Sequence, residues 1–108
     1  MGKVTQGAQF SGFTGNRAGV AIRPQRMRDA SGALQVQVSA GTVSKVQWQA
    51  KLADDFGWVT LWDSSVDGGL GTLTAGTEII ATELPVLPNI RCRFVGALSA
   101  TFNIYYME

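Results

Sequence analysis

The sequence predicts an all-β protein, an antiparallel β-sandwich or jelly roll of about six to eight strands with a flexible N-terminal arm. First, apolar and polar residues alternate along VQWQAKLADDFGWVTLW (46–62), and an Asp/Gly turn interrupts the alternation, as in a β-hairpin. Second, the last part of the chain (90–106) alternates in the same way. Third, the chain has 13 glycines, 3 prolines and no convincing helical segment, which suits short strands joined by tight turns.

At 108 residues the chain is long enough for one small domain with a single core. We divide it into an N-terminal arm (1–32) and a β-sandwich domain (33–108). The arm holds five basic residues and one acidic residue, a balance of +4, whereas the rest holds four basic and seven acidic residues, a balance of −3. A basic arm suits contact with an acidic surface on a partner, and a solvated arm without a partner is an equally good interpretation.

Within the arm, Phe10 and Phe13 stand among glycines at 7, 12, 15 and 19. This spacing predicts neither a helix nor a long strand. Residues 20–22 suit a short edge strand that ends at Arg23-Pro24. The isolated phenylalanines suggest anchoring, either onto this domain or onto a neighbouring subunit.

The next segments predict the first strands of the sandwich. Alternation over 34–39 predicts one strand, and the 46–62 segment predicts a hairpin that turns at Asp54–Gly57. In its first strand, Lys45, Gln47, Gln49 and Lys51 lie on one face, and Val46, Trp48, Ala50 and Leu52 on the other. In its second strand Trp58, Thr60 and Trp62 share a face, opposite Val59 and Leu61.

The remaining segments complete the sheet. A turn-rich stretch, DSSVDGGLGTLTAGT (63–77), predicts a long exposed loop, and residues 78–82 predict a strand. Prolines on both sides of 86–87 indicate a crossover or an edge. The final prediction is a second hairpin, with strands at 90–94 and 102–106 and a turn at 96–99.

Few residues suggest catalysis, and we expect no enzymatic activity and no cofactor. The chain has no histidine, which removes the commonest general base and the commonest metal ligand. Asp54 and Asp55 lie in a predicted turn, where aspartate favours local backbone bonding. Asp63 and Asp67 could offer oxygens to Ca²⁺, but their spacing matches no established calcium loop, and turn carboxylates in solvent are the better interpretation. We therefore expect no metal site.

The chain also shows no sign of membrane or nucleic-acid binding. No segment approaches the roughly 20 apolar residues of a membrane span, and the start of the chain lacks the pattern of a signal peptide. The net charge is only +1, and Arg91 and Arg93 without interleaved aromatic residues are weak support for nucleic-acid binding. These arginines suit a solvated sheet face or ion pairs with a neighbouring subunit. Cys92 alternates with Ile90 and Phe94, which predicts a buried thiol.

The tryptophans allow three interpretations. Exposed aromatic rings on a β-sandwich could stack on sugars. However, Trp48 shares its face with Val46 and Leu52 and suits the core. The strand that holds Trp58 and Trp62 is apolar on both faces, which favours a core position or a subunit interface over a glycan platform.

The order of these parts resembles small β-sandwich virion proteins of tailed bacteriophages. The matching segments are the alternating strand, the DDFGWVTLW hairpin, the Gly/Thr loop, the PNIRCRF strand and the terminal ATFNIYYME strand, so the resemblance covers about 33–108. It rests on organisation, and it applies especially to capsid decoration (cement) proteins and related spike and fibre domains. Carbohydrate-binding β-sandwiches have similar segments.

The resemblance implies a non-enzymatic structural role: binding the outer capsid shell and bridging its subunits. The expected location is the virion, with the chain made in the host cytoplasm. The implied partner is the major capsid protein or another virion protein, and the implied assembly is a homo-oligomer, with a trimer favoured. The alternatives are a tail, neck or fibre-associated module and a carbohydrate-binding module. Under the decoration hypothesis the shell contacts are Phe10, Phe13, Arg17 and Arg23, and the subunit-interface residues are Trp58, Trp62 and Tyr105.

Overall fold

The computed structural model describes residues 4–18, 31–85 and 87–107. These residues form seven antiparallel strands in one curled sheet, without a helix, which confirms the predicted all-β class. No helix in this described part is long and apolar enough to cross a membrane. The strands are β1 (Val4–Ala18), β2 (Ser31–Val43), β3 (Lys45–Lys51), β4 (Val59–Asp63), β5 (Leu73–Thr74), β6 (Glu78–Pro85) and β7 (Asn89–Met107).

Strand β7 organises the sheet. Strands β2 and β3 are separated only by Ser44, and together they pair along one edge of β7. Strand β1 pairs along the opposite edge of β7. On the outside, β4 pairs with β3, whereas β5 and β6 pair with β2. The 4–18 part of the predicted arm is therefore a strand of the sheet, because the edge of β7 satisfies its backbone hydrogen-bonding groups.

The long strands bend where β2 passes into β3. Gly41, Gly96 and Ser99 all have positive φ, at 69°, 68° and 46°. Side chains of β1 accept hydrogen bonds from the amides at the bend of β7: Thr14 from Ser99 N at 3.1 Å, and Asn16 from Gly96 N at 2.7 Å. The bent sheet thus keeps these amides hydrogen-bonded where the regular ladder is interrupted.

The predicted turn at 96–99 is wrong, because the chain bends there without reversing. Strand β7 is continuous, and its two halves are not paired with each other. Each half pairs instead with strands that are distant in sequence, β3 for the first half and β2 for the second, while β1 follows both. A glycine in the left-handed region suits a bulge as well as a turn, so local sequence could not distinguish them.

The two halves of the bent sheet enclose one hydrophobic core. Trp48, Phe94 and Phe102 are among its largest fully buried side chains, and the rings of Phe94 and Phe102 meet edge to face at 4.7 Å between centroids. Trp48 Nε1 donates to the Pro85 carbonyl at 2.8 Å, which links β3 to the end of β6. The predicted inward faces are confirmed for residues 34, 36, 38, 46, 48, 50, 90, 92, 94, 102 and 104. Leu52 is the exception, 61% exposed, because β3 ends at Lys51.

Candidate functional site

The most distinctive surface of the described chain is the β3–β4 hairpin with the first half of β7. The hairpin is confirmed: β3 and β4 pair antiparallel and are joined by a turn over 52–58. Asp54 and Asp55 lie exposed in this turn, as predicted. Lys51 Nζ donates to the Asp54 carbonyl at 3.1 Å, and Phe56 N donates to the Ala53 carbonyl at 3.1 Å, so the turn is tied to its own strand.

An irregularity in β4 changes the faces of its tryptophans. Trp48 pairs with Trp62, but the next residue, Gln49, pairs with Thr60, so Leu61 is an extra residue in β4. Trp62 consequently packs against the core, whereas Trp58 lies over Arg91 on the outer face of the sheet. The prediction that Trp58 and Trp62 share a face is wrong, because one extra residue inverts the alternation of a strand.

On the inner side, the end of the hairpin forms an open apolar groove of about 440 Å³. Leu52, Phe56 and Val59 in this groove are each more than half exposed, at 61%, 57% and 58%. The complete lining is Ala50, Lys51, Leu52, Phe56, Gly57, Val59, Leu61 and Leu87. Contiguous exposed apolar side chains on a small domain are typical of a surface that another molecule covers.

On the outer face, two chains of hydrogen bonds run across three strands. In the first, Arg91 Nε donates to Gln49 Oε1 at 2.8 Å, and Gln49 Nε2 donates to Thr60 Oγ1 at 3.1 Å. In the second, Arg93 donates to Gln47 Oε1 at 3.3 Å, and Gln47 Nε2 donates to Asp63 Oδ2 at 2.9 Å. We call these chains the two amide rungs.

The glutamines of the amide rungs are more than nine-tenths buried, at 8% exposure for Gln47 and 7% for Gln49. The sequence places both on the polar face of β3 but gives no reason to link them to the arginines. One signal was present: a Gln-x-Gln and an Arg-x-Arg of the same spacing on two strands. Their pairing across β3 and β7 is decided by the register, Gln47 opposite Arg93 and Gln49 opposite Arg91.

Trp58 lies beside the first rung. The Arg91 guanidinium is 4.4 Å and the Lys51 ammonium 4.8 Å from the centroid of its ring. Both distances suit cation–π attraction, which is strongest on tryptophan. Burial, and then the nearby charge of Arg93, lower the pKa of Arg91 from its usual value. These contacts hold cationic groups against the sheet in partly dehydrated positions.

Asp63 closes the second rung and organises the loop that follows β4. Its Oδ1 accepts from Ser65 N at 2.8 Å and from Ser65 Oγ at 2.6 Å, and its Oδ2 lies 3.5 Å from Lys45 Nζ. Burial alone would raise the pKa of Asp63, but the hydrogen bonds from Ser65 and Gln47 and the charge of Lys45 outweigh it, so the pKa lies well below its usual value. Asp67 accepts from Asp63 N at 2.7 Å. Both acids therefore serve the turn.

The other predicted contact residues lie apart from this surface. Phe13 packs on its own domain, edge to face with Phe94 at 5.5 Å, and Arg17 is exposed on β1. The backbone of Phe10 pairs with Phe102, and that of Tyr105 pairs with strands on both sides. Arg23 and the side chains of Phe10 and Tyr105 lie outside the described residues.

The described residues offer little chemistry beyond these contacts. Over 4–18, 31–85 and 87–107, no three His, Cys, Asp or Glu side chains are grouped so that they could hold a metal ion. Cys92 is buried, as predicted, and burial raises the pKa of its thiol. This arrangement disfavours nucleophilic chemistry at Cys92.

Comparison with protein families, with curated proteins and with solved structures gives no match to this chain.

Proposed function

We propose that this protein is a non-enzymatic structural protein of a bacteriophage virion, a capsid decoration protein that binds the outer shell and bridges its subunits. In this proposal its partner is the major capsid protein or another virion protein, and it acts as a homo-oligomer, with a trimer favoured. The organisation of 33–108 resembles such proteins, and the surface of the β3–β4 hairpin supports a role in contacting other proteins.

The observation that carries the proposal is the apolar groove at the end of the hairpin. Leu52, Phe56 and Val59 are exposed next to a strand at the edge of the described sheet. An exposed apolar edge promotes aggregation unless a partner covers it, and protein interfaces combine such apolar surface with aromatic and arginine side chains. Trp58 and Arg91, stacked on the other side of the same hairpin, supply those residue types.

This observation also changes which residues we assign to the interface. We place Trp58 and the groove at the contact and leave out Trp62 and Phe13, which pack within their own chain. Arg17 stays a candidate shell contact because its side chain is exposed. Phe10, Arg23 and Tyr105 stay candidates on the resemblance alone.

The alternatives predict different results. A tail, neck or fibre-associated module would use the same surface at a much lower copy number. A carbohydrate-binding module would present at least two tryptophan rings on one face. Here Trp58 and Trp62 lie on opposite faces and Trp48 is fully buried, so the glycan hypothesis has only Trp58 left.

Quantitative mass spectrometry on purified particles of the phage that encodes this chain tests the proposal directly. A copy number close to that of the major capsid protein is the expected result. A few copies per particle would move the assignment to the tail, neck or fibre. Absence of the chain from particles would refute the virion proposal.

A matched pair of variants tests the groove. Leu52 and Leu98 are equally exposed, at 61% and 60%, but only Leu52 lines the groove. We expect Leu52→Gln to weaken oligomer formation and rebinding to particles at least tenfold, because Leu52 lies in the groove. We expect Leu98→Gln to change neither. Because both positions are exposed, neither substitution should unfold the domain. Light scattering after size exclusion and co-sedimentation with particles measure these effects. Equal behaviour of the two variants would remove the groove from the interface.

A further inference from the structure

We propose that the Arg91–Arg93 pair, held by the two amide rungs, is a binding site for carboxylate side chains of an acidic, extended segment of the protein partner. This inference rests on the proposed function, because it names the chemistry of the partner at the same surface.

The first argument is the pairing of the arginines. Each guanidinium donates to a neutral amide oxygen, Arg91 to Gln49 and Arg93 to Gln47. Among the described residues, no carboxylate lies within ion-pair distance of either guanidinium. A carboxylate is the protein group that best matches the charge of an arginine and its fork of donors. Within the described residues, the two positive charges therefore have no opposite charge beside them.

The second argument is preorganisation. The glutamines are buried, and each is fixed from the other side by a group of β4, Gln49 by Thr60 and Gln47 by Asp63. Their amide oxygens therefore point at the arginines in a set direction. A donor that is already oriented loses less conformational entropy on binding, so it binds an anion more tightly than a free side chain does. Trp58 further restricts Arg91 by stacking on it.

The third argument concerns like charges. Arg91 and Arg93 lie on the same face, two residues apart, so their Cα atoms are about 6.5–7 Å from each other. Both side chains are partly buried, and the nearby charge of Arg93 disfavours the charged form of Arg91. A carboxylate between or beside them would relieve this repulsion. The face is therefore complementary to negative charge even though the whole chain has a net charge of only +1.

The geometry also selects the kind of anion. Side chains at alternate positions of an extended segment have the same spacing as Arg91 and Arg93, so acidic residues at every second position can meet both. A nucleic acid needs a broad basic surface to neutralise a row of phosphates. The nearby turn exposes Asp54 and Asp55, so positive charge is confined to a short stretch, which a few carboxylates can match and a long row of phosphates cannot. An acidic protein segment fits this mixed surface better.

Isothermal titration calorimetry with defined peptides tests the site. The probe is acetyl-Glu-Thr-Glu-Thr-Glu-amide, and the matched control replaces each Glu with Gln. We expect saturable binding of the acidic peptide that weakens as salt is raised, and at least tenfold weaker binding of the Gln peptide. Equal binding of both peptides, or no binding of the acidic one, would overturn the proposal, as would tighter binding of a 12-nucleotide single-stranded DNA.

Two variants distinguish binding at the preorganised arginines from general electrostatic attraction to a basic surface. The double variant Arg91→Lys/Arg93→Lys keeps the net charge and removes the guanidinium fork, so we expect at least tenfold weaker binding of the acidic peptide. Gln49→Glu keeps both arginines and supplies Arg91 with an internal carboxylate, so we expect a similar loss with an unchanged or raised midpoint of thermal unfolding. Wild-type affinity in either folded variant would overturn the assignment.

These titrations use the purified protein, so they are independent of the particle experiment. Peptide binding by a chain that is absent from particles would contradict the virion role and leave the carboxylate site standing. A high copy number without peptide binding would support the virion role and contradict the carboxylate site.

Discussion

The close approach of β2 and β7 at the bend makes Gly41 the glycine, among those of the described residues, where an added methyl group should cost most. Gly41 has φ +69°, and an added Cβ would lie 2.5 Å from the Leu98 carbonyl oxygen and 2.6 Å from the Ser99 carbonyl carbon. These are backbone atoms of β7, which cannot rotate away as a flexible side chain can. We therefore predict that Gly41→Ala forces the two strands apart at the bend.

The predicted loss in the free energy of unfolding for Gly41→Ala has two parts. The left-handed conformation costs a residue with a Cβ about 1–2 kcal/mol. Overpacking against fixed atoms adds about 1–3 kcal/mol. The sum for Gly41→Ala is thus about 2–5 kcal/mol, a large share of the roughly 5–15 kcal/mol by which small domains are stable.

Two other glycines provide controls for this prediction. Gly12 has φ +64° with nothing within 4 Å of an added Cβ, so Gly12→Ala should cost only the conformational part, about 1–2 kcal/mol. Gly57 has open space and no positive φ, so Gly57→Ala should change the free energy of unfolding by less than about 0.5 kcal/mol.

Urea unfolding followed by tryptophan fluorescence measures all three variants, since Trp48 is fully buried in the fold. The expected order of destabilisation is Gly41→Ala, then Gly12→Ala, then Gly57→Ala, with the melting temperature falling about 4–8 °C for each kcal/mol. A loss for Gly41→Ala within about 0.5 kcal/mol of that for Gly12→Ala would refute the close backbone contact between β2 and β7 at Gly41.

Three further predictions concern single side chains. Asp63→Asn should lower stability by about 1–3 kcal/mol at pH 7. Because the folded state lowers the pKa of Asp63, its stabilisation is complete above about pH 4 and is lost as pH falls further. The stabilities of the two proteins in urea unfolding should therefore converge in acid, and a difference that stays constant with pH would contradict this role. Cys92, whose thiol is buried and has a raised pKa, should react with a thiol reagent only after denaturation; rapid labelling of the native protein, followed by absorbance, would contradict its burial. Trp48→Phe should lower the free energy of unfolding in urea by about 2–3 kcal/mol, because it leaves a space in the core and removes the donor to the Pro85 carbonyl. A loss below about 1 kcal/mol would contradict the core position of Trp48.

The candidate site shows how far local patterns extend. Alternation placed Gln47 and Gln49 on the outer face of β3 and Arg91 and Arg93 on the outer face of β7, and the structure confirms both placements. That these residues meet depends on the pairing of β3 with β7, which joins segments more than 40 positions apart. Hydrophobic spacing carries no information on which distant strands become neighbours.

The sequence by itself determined the all-β class, the β3–β4 hairpin, the buried faces of β2, β3 and β7, and the burial of Cys92, because a period of two with turn residues between segments is a local property of the chain. Tertiary structure alone decided three things: β1 joins the sheet over 4–18, β7 bends at Gly96 without turning back, and Leu61 forms the extra residue that separates Trp58 from Trp62. Each of these depends on which partner satisfies the backbone hydrogen bonds of a strand, and that partner lies far away in the sequence.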